Sequence, residues 1–210
     1  MKRSSPRGFT LIEMITVVAI IIVLAGLVIS VSGYVNQKAN RTKADGEMRA
    51  MFSALDSYKA DNGIFPKTEE TDKLDPRVDI APTSSNYIKA NLALYSAITG
   101  DYEPSDAPDG RPEKNSKSYH QFVPSQLNHT KDGSGGVASV RYISDPWGNP
   151  YGYSTAANKL EEEYRQDVRK NPTAPRPSEL KGYNPTYDLW STASATTLAQ
   201  KAKWVRNWAE

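Results

Sequence analysis

The sequence predicts an α+β chain: a long N-terminal α-helix, membrane-spanning in its first half, packed on a small antiparallel β-sheet domain. Three observations predict it. Phe9–Gly33 holds 18 apolar side chains in 25 positions with no polar face, whereas Tyr34–Glu210 holds 61 in 177. Apolar residues then recur at three- and four-residue spacing through Met48, Met51, Phe52, Leu55 and Tyr58, which extends the helix into the polar part of the chain. Late in the chain, short aromatic and β-branched runs alternate with Gly, Pro, Asn and Asp, as in strands joined by turns. The four segments so defined are 1–8, basic; 9–33, apolar; 34–60, the polar continuation of the helix; and 61–210, the globular domain.

Composition excludes several classes. With 210 residues the chain accommodates one domain or two small ones. Having no cysteine, it has no disulfide scaffold, thiolate zinc site, iron–sulfur cluster or cysteine nucleophile. Lys2, Arg3 and Arg7 make the start basic, and the chain from Tyr34 onward carries 23 positive and 23 negative side chains. A neutral body lacks the electrostatic footprint of a nucleic-acid binder. It carries 19 of the 20 aromatic residues, so it is not of disordered composition.

Taken in order, residues 9–60 form a helix of roughly 78 Å, ended by Asp61-Asn62-Gly63 with Pro66 behind it. A second helix is predicted from Ser85 to about Thr99, capped by Ser84 or Ser85 and closed by Gly100, burying Ile88, Leu92, Tyr95 and Ile98 or Thr99. Gly100–Gly136 reads as a long surface loop with a short ordered piece at Tyr119–Leu127. Val137–Ile143 and Tyr151–Thr155 read as a hairpin about the turn Asp145–Pro150. Ala156–Gly182 is charged and proline-rich, with a helical turn or two at Asn158–Arg169; Tyr187–Thr192 is a third strand and Leu198–Trp208 a short closing helix.

The apolar run has three readings. It is the core of a signal peptide cut near Ser30-Val31-Ser32, a plain uncleaved anchor, or a segment retained after cleavage ahead of it. At 1.5 Å per residue its length crosses a bilayer. Glu13 bears on the choice, since an ionised carboxylate there costs roughly 2.5–3.5 kcal/mol unless it is partnered or lies at the interfacial edge. Cleavage between Gly8 and Phe9 would create an α-ammonium four residues before Glu13, within helical reach.

The residues Arg7-Gly8-Phe9-Thr10-Leu11-Ile12-Glu13 resemble the prepilin leader of type IV pilins and type II secretion pseudopilins. The resemblance implies a pilin fold, cleavage after Gly8, N-methylation of Phe9 and pairing of Glu13 with the Phe9 amine of an adjacent subunit. One departure is Ser30, where many relatives carry a proline. Leu55-x-x-Tyr58-Lys59-x-Asp61-Asn62-Gly63-x-Phe65-Pro66, Asp145-Pro146-Trp147-Gly148-Asn149-Pro150 and Tyr187-Asp188-Leu189-Trp190-Ser191 are similar to segments of the major (G-type) pseudopilin. The expectation is a structural subunit of a type II secretion pseudopilus, not an enzyme. Its partners would be further copies and other pseudopilins in a helical filament, a prepilin peptidase, an inner-membrane assembly platform and inner-membrane lipid, with no nucleic acid. It would be single-pass in the bacterial inner membrane with the C-terminal domain in the periplasm. The alternatives are a type IV pilus or DNA-uptake subunit and, in another class, an anchored or secreted enzyme or binding module.

No cofactor is expected. The major pseudopilins bind calcium after the last of these strands, but here that loop, Thr192–Thr197, has no carboxylate, and calcium wants six to eight hard oxygens. Asp101, Glu103, Asp106 and Asp109 offer another acidic loop, read as a solvated turn. His120 and His129 lack metal-ligand spacing, Lys131–Gly136 lacks the end of a phosphate loop, and no catalytic triad can be assembled.

Overall fold

The computed structural model describes residues 8–102 and 108–209, with the side chains of 28–32 outside the description. The chain divides into two compact units, residues 1–40 and residues 41–210, and helix α1 (Leu11–Asn62) contributes to both.

In the first unit every large apolar side chain from Leu11 to Leu27 is between 50% and 76% exposed. Among the described residues no helix is long and apolar enough to cross a membrane. The stretch described side chain by side chain, Leu11–Leu27, rises about 25 Å, short of the roughly 30 Å of a hydrocarbon core; the apolar sequence itself continues through Val28, Ile29 and Val31.

The second unit is built on the remainder of α1. Of the expected stripe, Met48, Met51 and Leu55 are buried and Phe52 and Tyr58 half-buried, and Ala44, one turn earlier, is buried with them. Gly63 ends the helix in the left-handed region (φ 79°), its N–H donating to the Lys59 carbonyl at 2.8 Å. A short helix, α2 (Glu69–Lys73), follows inside a reciprocal Thr68–Thr71 capping box. Helix α3 (Ser85–Thr99) has the expected cap, Ser84, and the expected stop, Gly100. Its buried face is Tyr87, Ala90, Asn91, Leu94, Tyr95 and Ile98, while Ile88 and Leu92 are only half-buried.

Asn91 accounts for that rotation. Its Oδ1 accepts from the Ile143 N–H at 2.6 Å, and its Nδ2 donates to the carbonyls of Ile143 (3.2 Å) and Tyr151 (2.7 Å). A polar side chain that satisfies three backbone groups is stable inside, so the helix turns it inward.

The β structure differs from a single hairpin. Strand β1 (Leu127–Lys131), within the expected loop, pairs antiparallel with β2 (Val137–Ile143), Leu127 opposite Ile143, through two register shifts. Strand β3 (Gly152–Ser154) pairs instead with β4 (Asp188–Ser191), which pairs with β5 (Val205–Arg206). Between β2 and β3 only a bridge between Ser144 and Pro150 remains, because Pro150 has no N–H to extend a ladder. Asp145 fixes that corner: its Oδ1 accepts from the N–H groups of Trp147 (3.0 Å) and Asn149 (2.8 Å), and its Oδ2 accepts from the Ser191 hydroxyl. The two sheets are thus joined through a buried carboxylate. Gly152 sits opposite Trp190, and any Cβ on it would lie 2.2 Å from the indole. The 156–182 stretch holds a full helix, α4 (Ala156–Lys170), rather than a turn or two. The expected closing helix is a 3₁₀ segment (Leu198–Lys203) followed by β5.

Two apolar clusters result. One joins the α1 stripe to Leu94, Tyr95, Ile98, Val140, Ile143, Tyr153 and Leu189; the other gathers Leu74, Tyr87, Trp190, Trp204 and Trp208.

Replacing Asn91 by alanine removes the partner of the buried Ile143 N–H and of the Tyr151 carbonyl, each costing about 1–3 kcal/mol if left unpaired, while the Ile143 carbonyl still accepts from the Tyr151 N–H at 3.2 Å. Urea denaturation should show Asn91→Ala destabilised by at least about 2 kcal/mol, and Asn86→Ala on the exposed side of the same helix nearly unchanged.

Burial raises the carboxyl of Asp188 to about 6, against backbone donation from Tyr183 and Asn184. A raised native value means that the folded state holds its proton more tightly than the unfolded one. The Asp188 contribution is therefore fully present below the ordinary carboxylate range and lost as pH rises through about 6. The stability difference between wild type and Asp188→Asn should shift in favour of wild type as pH is lowered from 7 toward 4.

Candidate functional site: the N-terminal processing and assembly segment

Gly8, Phe9 and Thr10 lie ahead of α1 in exposed, non-helical chain. The Gly8–Phe9 peptide bond is consequently outside the helical hydrogen-bond ladder. Nothing lies within 4 Å of the position a Gly8 Cβ would take, and Phe9 is 82% exposed.

Glu13 has a local partner that the spacing argument missed. Thr10 is the residue before the first helical one, and Glu13 is the third residue of the helix. The Glu13 Oε2 accepts from the Thr10 N–H and the Thr10 hydroxyl, both at 2.8 Å, while the Glu13 N–H donates back to the Thr10 Oγ1 at 3.3 Å. This is a capping box, and Thr10-Leu11-Ile12-Glu13 spells it in sequence. The carboxylate satisfies orphan donors at the helix start and complements the positive end of the helix dipole. In the same segment Thr16 donates its hydroxyl to the Ile12 carbonyl at 2.8 Å, which leaves the following surface apolar.

The acidic loop is not a solvated turn at Asp101. That side chain is fully buried, its Oδ2 accepting from the Tyr95 hydroxyl (3.0 Å) and the Gly110 N–H (2.9 Å), and burial raises its carboxyl. Asp109 accepts from the Arg111 N–H at 2.9 Å; Glu103 and Asp106 lie outside the described residues. Among the described residues no three acidic or histidine side chains are grouped to hold a metal ion.

Protein groups tie the loop Thr192–Thr197. Asn149 Nδ2 donates to the Ala193 carbonyl at 2.9 Å, the Ala193 N–H donates to Ser191 Oγ at 2.9 Å, and the Thr196 N–H donates to Gln200 Oε1 at 3.0 Å. His120 packs edge-on against Phe122, and His129 Nδ1 lies 3.0 Å from the Leu127 carbonyl. Trp190, Trp204 and Trp208 are core residues.

Residues 3–29 match the family model of the prokaryotic N-terminal methylation motif. The type II secretion system core protein G of Pseudomonas aeruginosa is 30% identical over 159 residues, 76% of this chain and 80% of that protein. The proteins of the same name from Klebsiella michiganensis and Escherichia coli K12 are 44% identical over 70 residues and 39% over 84. The chain spans 49% and 58% of the lengths of those two. No solved structure matches the chain significantly. With 30% identity across four-fifths of a curated relative, and with its methylation motif, the chain belongs to the type II secretion system core protein G family: it is a pseudopilin, a structural subunit and not an enzyme.

Proposed function

We infer that this chain is a structural subunit of a type II secretion pseudopilus, held in the inner membrane before assembly and processed by a prepilin peptidase. One observation carries the reading: within the residues that match the methylation motif, the large apolar side chains from Leu11 to Leu27 form a helical surface that is 50–76% exposed. Exposed apolar area on that scale marks a surface with a partner. An apolar helix has two suitable surroundings, lipid tails and the apolar helices of neighbouring subunits, and passes between them at little net cost.

In this reading residues 1–8 are a leader, removed between Gly8 and Phe9, and Phe9 is N-methylated. Residues 9–33 cross the bilayer once, leaving residues 61–210 in the periplasm; the far-side cations Lys38, Arg41 and Lys43 sit beyond the run. Residues 34–60 carry the packed half of the helix. The partners are further copies, other pseudopilins, the peptidase, the membrane assembly platform and membrane lipid. Glu13 pairs with the Phe9 ammonium of a neighbour during assembly, in a setting where a lone charge is costly. The capping box supports this assignment, because Thr10 already holds the carboxylate at the end of the helix where that ammonium would approach.

The mature chain should begin at N-methyl-Phe9, as read by intact mass of protein extracted from host membranes; a start near Gly33 would favour a cleaved signal peptide instead.

Glu13→Val should insert at wild-type membrane levels yet fail in export, scored in parallel by complementation. Thr10→Ala should keep partial export, because it removes the local cap and leaves the carboxylate for the neighbour. Full export by Glu13→Val would remove the assembly role of this residue.

A further inference from the structure

We propose that the chain between β4 and β5 is fastened by two side-chain cations, the Lys201 ammonium and the Arg41 guanidinium, set on backbone carbonyls. They act in the region where the resemblance to major pseudopilins implies a calcium ion, and this subunit therefore folds without calcium. The inference goes beyond the assembly reading and does not depend on it.

The donor set of the loop Thr192–Thr197 does not fit calcium, which wants six to eight hard oxygens with charged ones among them. The loop contains no carboxylate, and much of its backbone is engaged by protein donors. The Thr192 carbonyl accepts from the Ala195 N–H at 2.9 Å, the Ala193 carbonyl from Asn149 Nδ2 at 2.9 Å, and the Thr197 carbonyl from the Gln200 N–H at 3.0 Å. The buried Thr192 hydroxyl has no hydrogen-bond partner, but it is a neutral donor. Two buried carboxylates flank the loop, and both are taken. Asp188 accepts from the Tyr183 and Asn184 N–H groups, one on each oxygen. Asp145 accepts from the Trp147 and Asn149 N–H groups and from the Ser191 hydroxyl. Glu210, the next acid along the chain, lies outside the described residues.

The chain supplies the positive charge itself. Lys201 Nζ donates to the Arg77 carbonyl at 3.1 Å and to the Tyr183 hydroxyl at 3.2 Å, and lies 5.4 Å from the Trp204 ring centre. It ties the 3₁₀ segment Leu198–Lys203 to the chain after α2 and to the turn before β4. Arg41 works from the other side, its Nη1 and Nη2 donating to the carbonyls of Lys203 (3.1 Å) and Trp204 (3.3 Å) and so tying the end of that segment to α1. Gln200 holds the loop to the same segment, its Oε1 accepting from the Thr196 N–H at 3.0 Å. Hydrogen bonds from charged donors are roughly twice as strong as neutral ones. A cation carried on a side chain also cannot dissociate, so its contribution does not follow an ion concentration, as that of a bound metal must.

The test melts the full chain in detergent micelles at constant ionic strength. Near-ultraviolet circular dichroism follows the transition through the buried Trp190 and Trp204, which pack beside the loop with Ala195. The midpoint should agree within about 1 °C between a chelator and millimolar calcium, since no site is there to be filled. A calcium site at a hundredfold excess over its dissociation constant would raise the midpoint by about 5–10 °C, and that rise overturns the calcium-free fold. Lys201→Met keeps most of the side-chain volume and removes the charge. It should lower the midpoint by about 2–4 °C, equally with chelator and with calcium, and Arg41→Met should act likewise. Lys201→Arg should recover most of the loss, because it restores a charged donor. An unchanged midpoint in Lys201→Met and Arg41→Met, or a loss that calcium repairs, overturns the fastening role of these cations.

Discussion

Everything in this molecule is arranged around an apolar surface that its own chain leaves uncovered. From Leu11 to Leu27 the large apolar side chains remain at least half exposed, while the apolar stripe farther along the same helix, at Ala44, Met48, Met51 and Leu55, is completely buried. One helix thus carries two kinds of surface, one satisfied by the globular unit and one that needs an external apolar phase. The difference is written in periodicity. A stripe on one face is closed by one layer of protein, whereas a helix apolar all round needs surroundings on every side. That requirement joins the bilayer and the filament in a single account.

The globular unit, by contrast, is poor in apolar residues and uses buried polar groups as fasteners. Asn91 ties α3 to the end of β2 and to Tyr151, and Asp145 ties the corner after β2 to Ser191 on β4. Ser154 donates to the Leu74 carbonyl, and Tyr153 donates to the Pro66 carbonyl at 2.8 Å, so β3 is attached to the segment after α1. Such groups add little net stability when formed and cost much when broken, so they act mainly to exclude alternative packings. They suit a domain whose two sheets are too short to specify their own partners.

Where one helical face decides the outcome, the sequence was legible: the α1 stripe, the Gly63 stop, the Ser84 cap and the Gly100 stop all follow from local spacing and cap chemistry. Long-range pairing was not. The β1 run Leu-Asn-His-Thr-Lys has no apolar alternation, because only Leu127 of that strand is buried. The return strand β3 looked like the partner of β2, since nothing local shows that Pro150 ends that ladder or that Gly152 makes room for Trp190. At the site, Gly8, Phe9 and Glu13 were singled out by the order of charge, glycine and apolar run together with the resemblance of Arg7–Glu13 to a prepilin leader. The capping role of Glu13 was written in Thr10-Leu11-Ile12-Glu13 and was hidden by attention to a partner in another chain.

That local role changes the energetics of carrying a carboxylate into an apolar phase. An ionised group in hydrocarbon costs roughly 2.5–3.5 kcal/mol even where it can reach water or bend the bilayer. Here Thr10 supplies two donors to it before any neighbour arrives, and the helix start supplies a positive dipole end. The charge is therefore tolerable in the waiting subunit and remains unneutralised. In the proposed pairing, a neighbouring ammonium would add what hydrogen bonds and a dipole cannot, a full opposite charge at close range in a low-dielectric setting. Apolar packing alone would let subunits slide along one another, because one turn of an all-apolar helix resembles the next. The proposed charge pair, at a fixed height, would remove that degeneracy, as single buried polar residues do in coiled coils. In that proposal the cost of Glu13 to insertion and its value for register are two consequences of one charge.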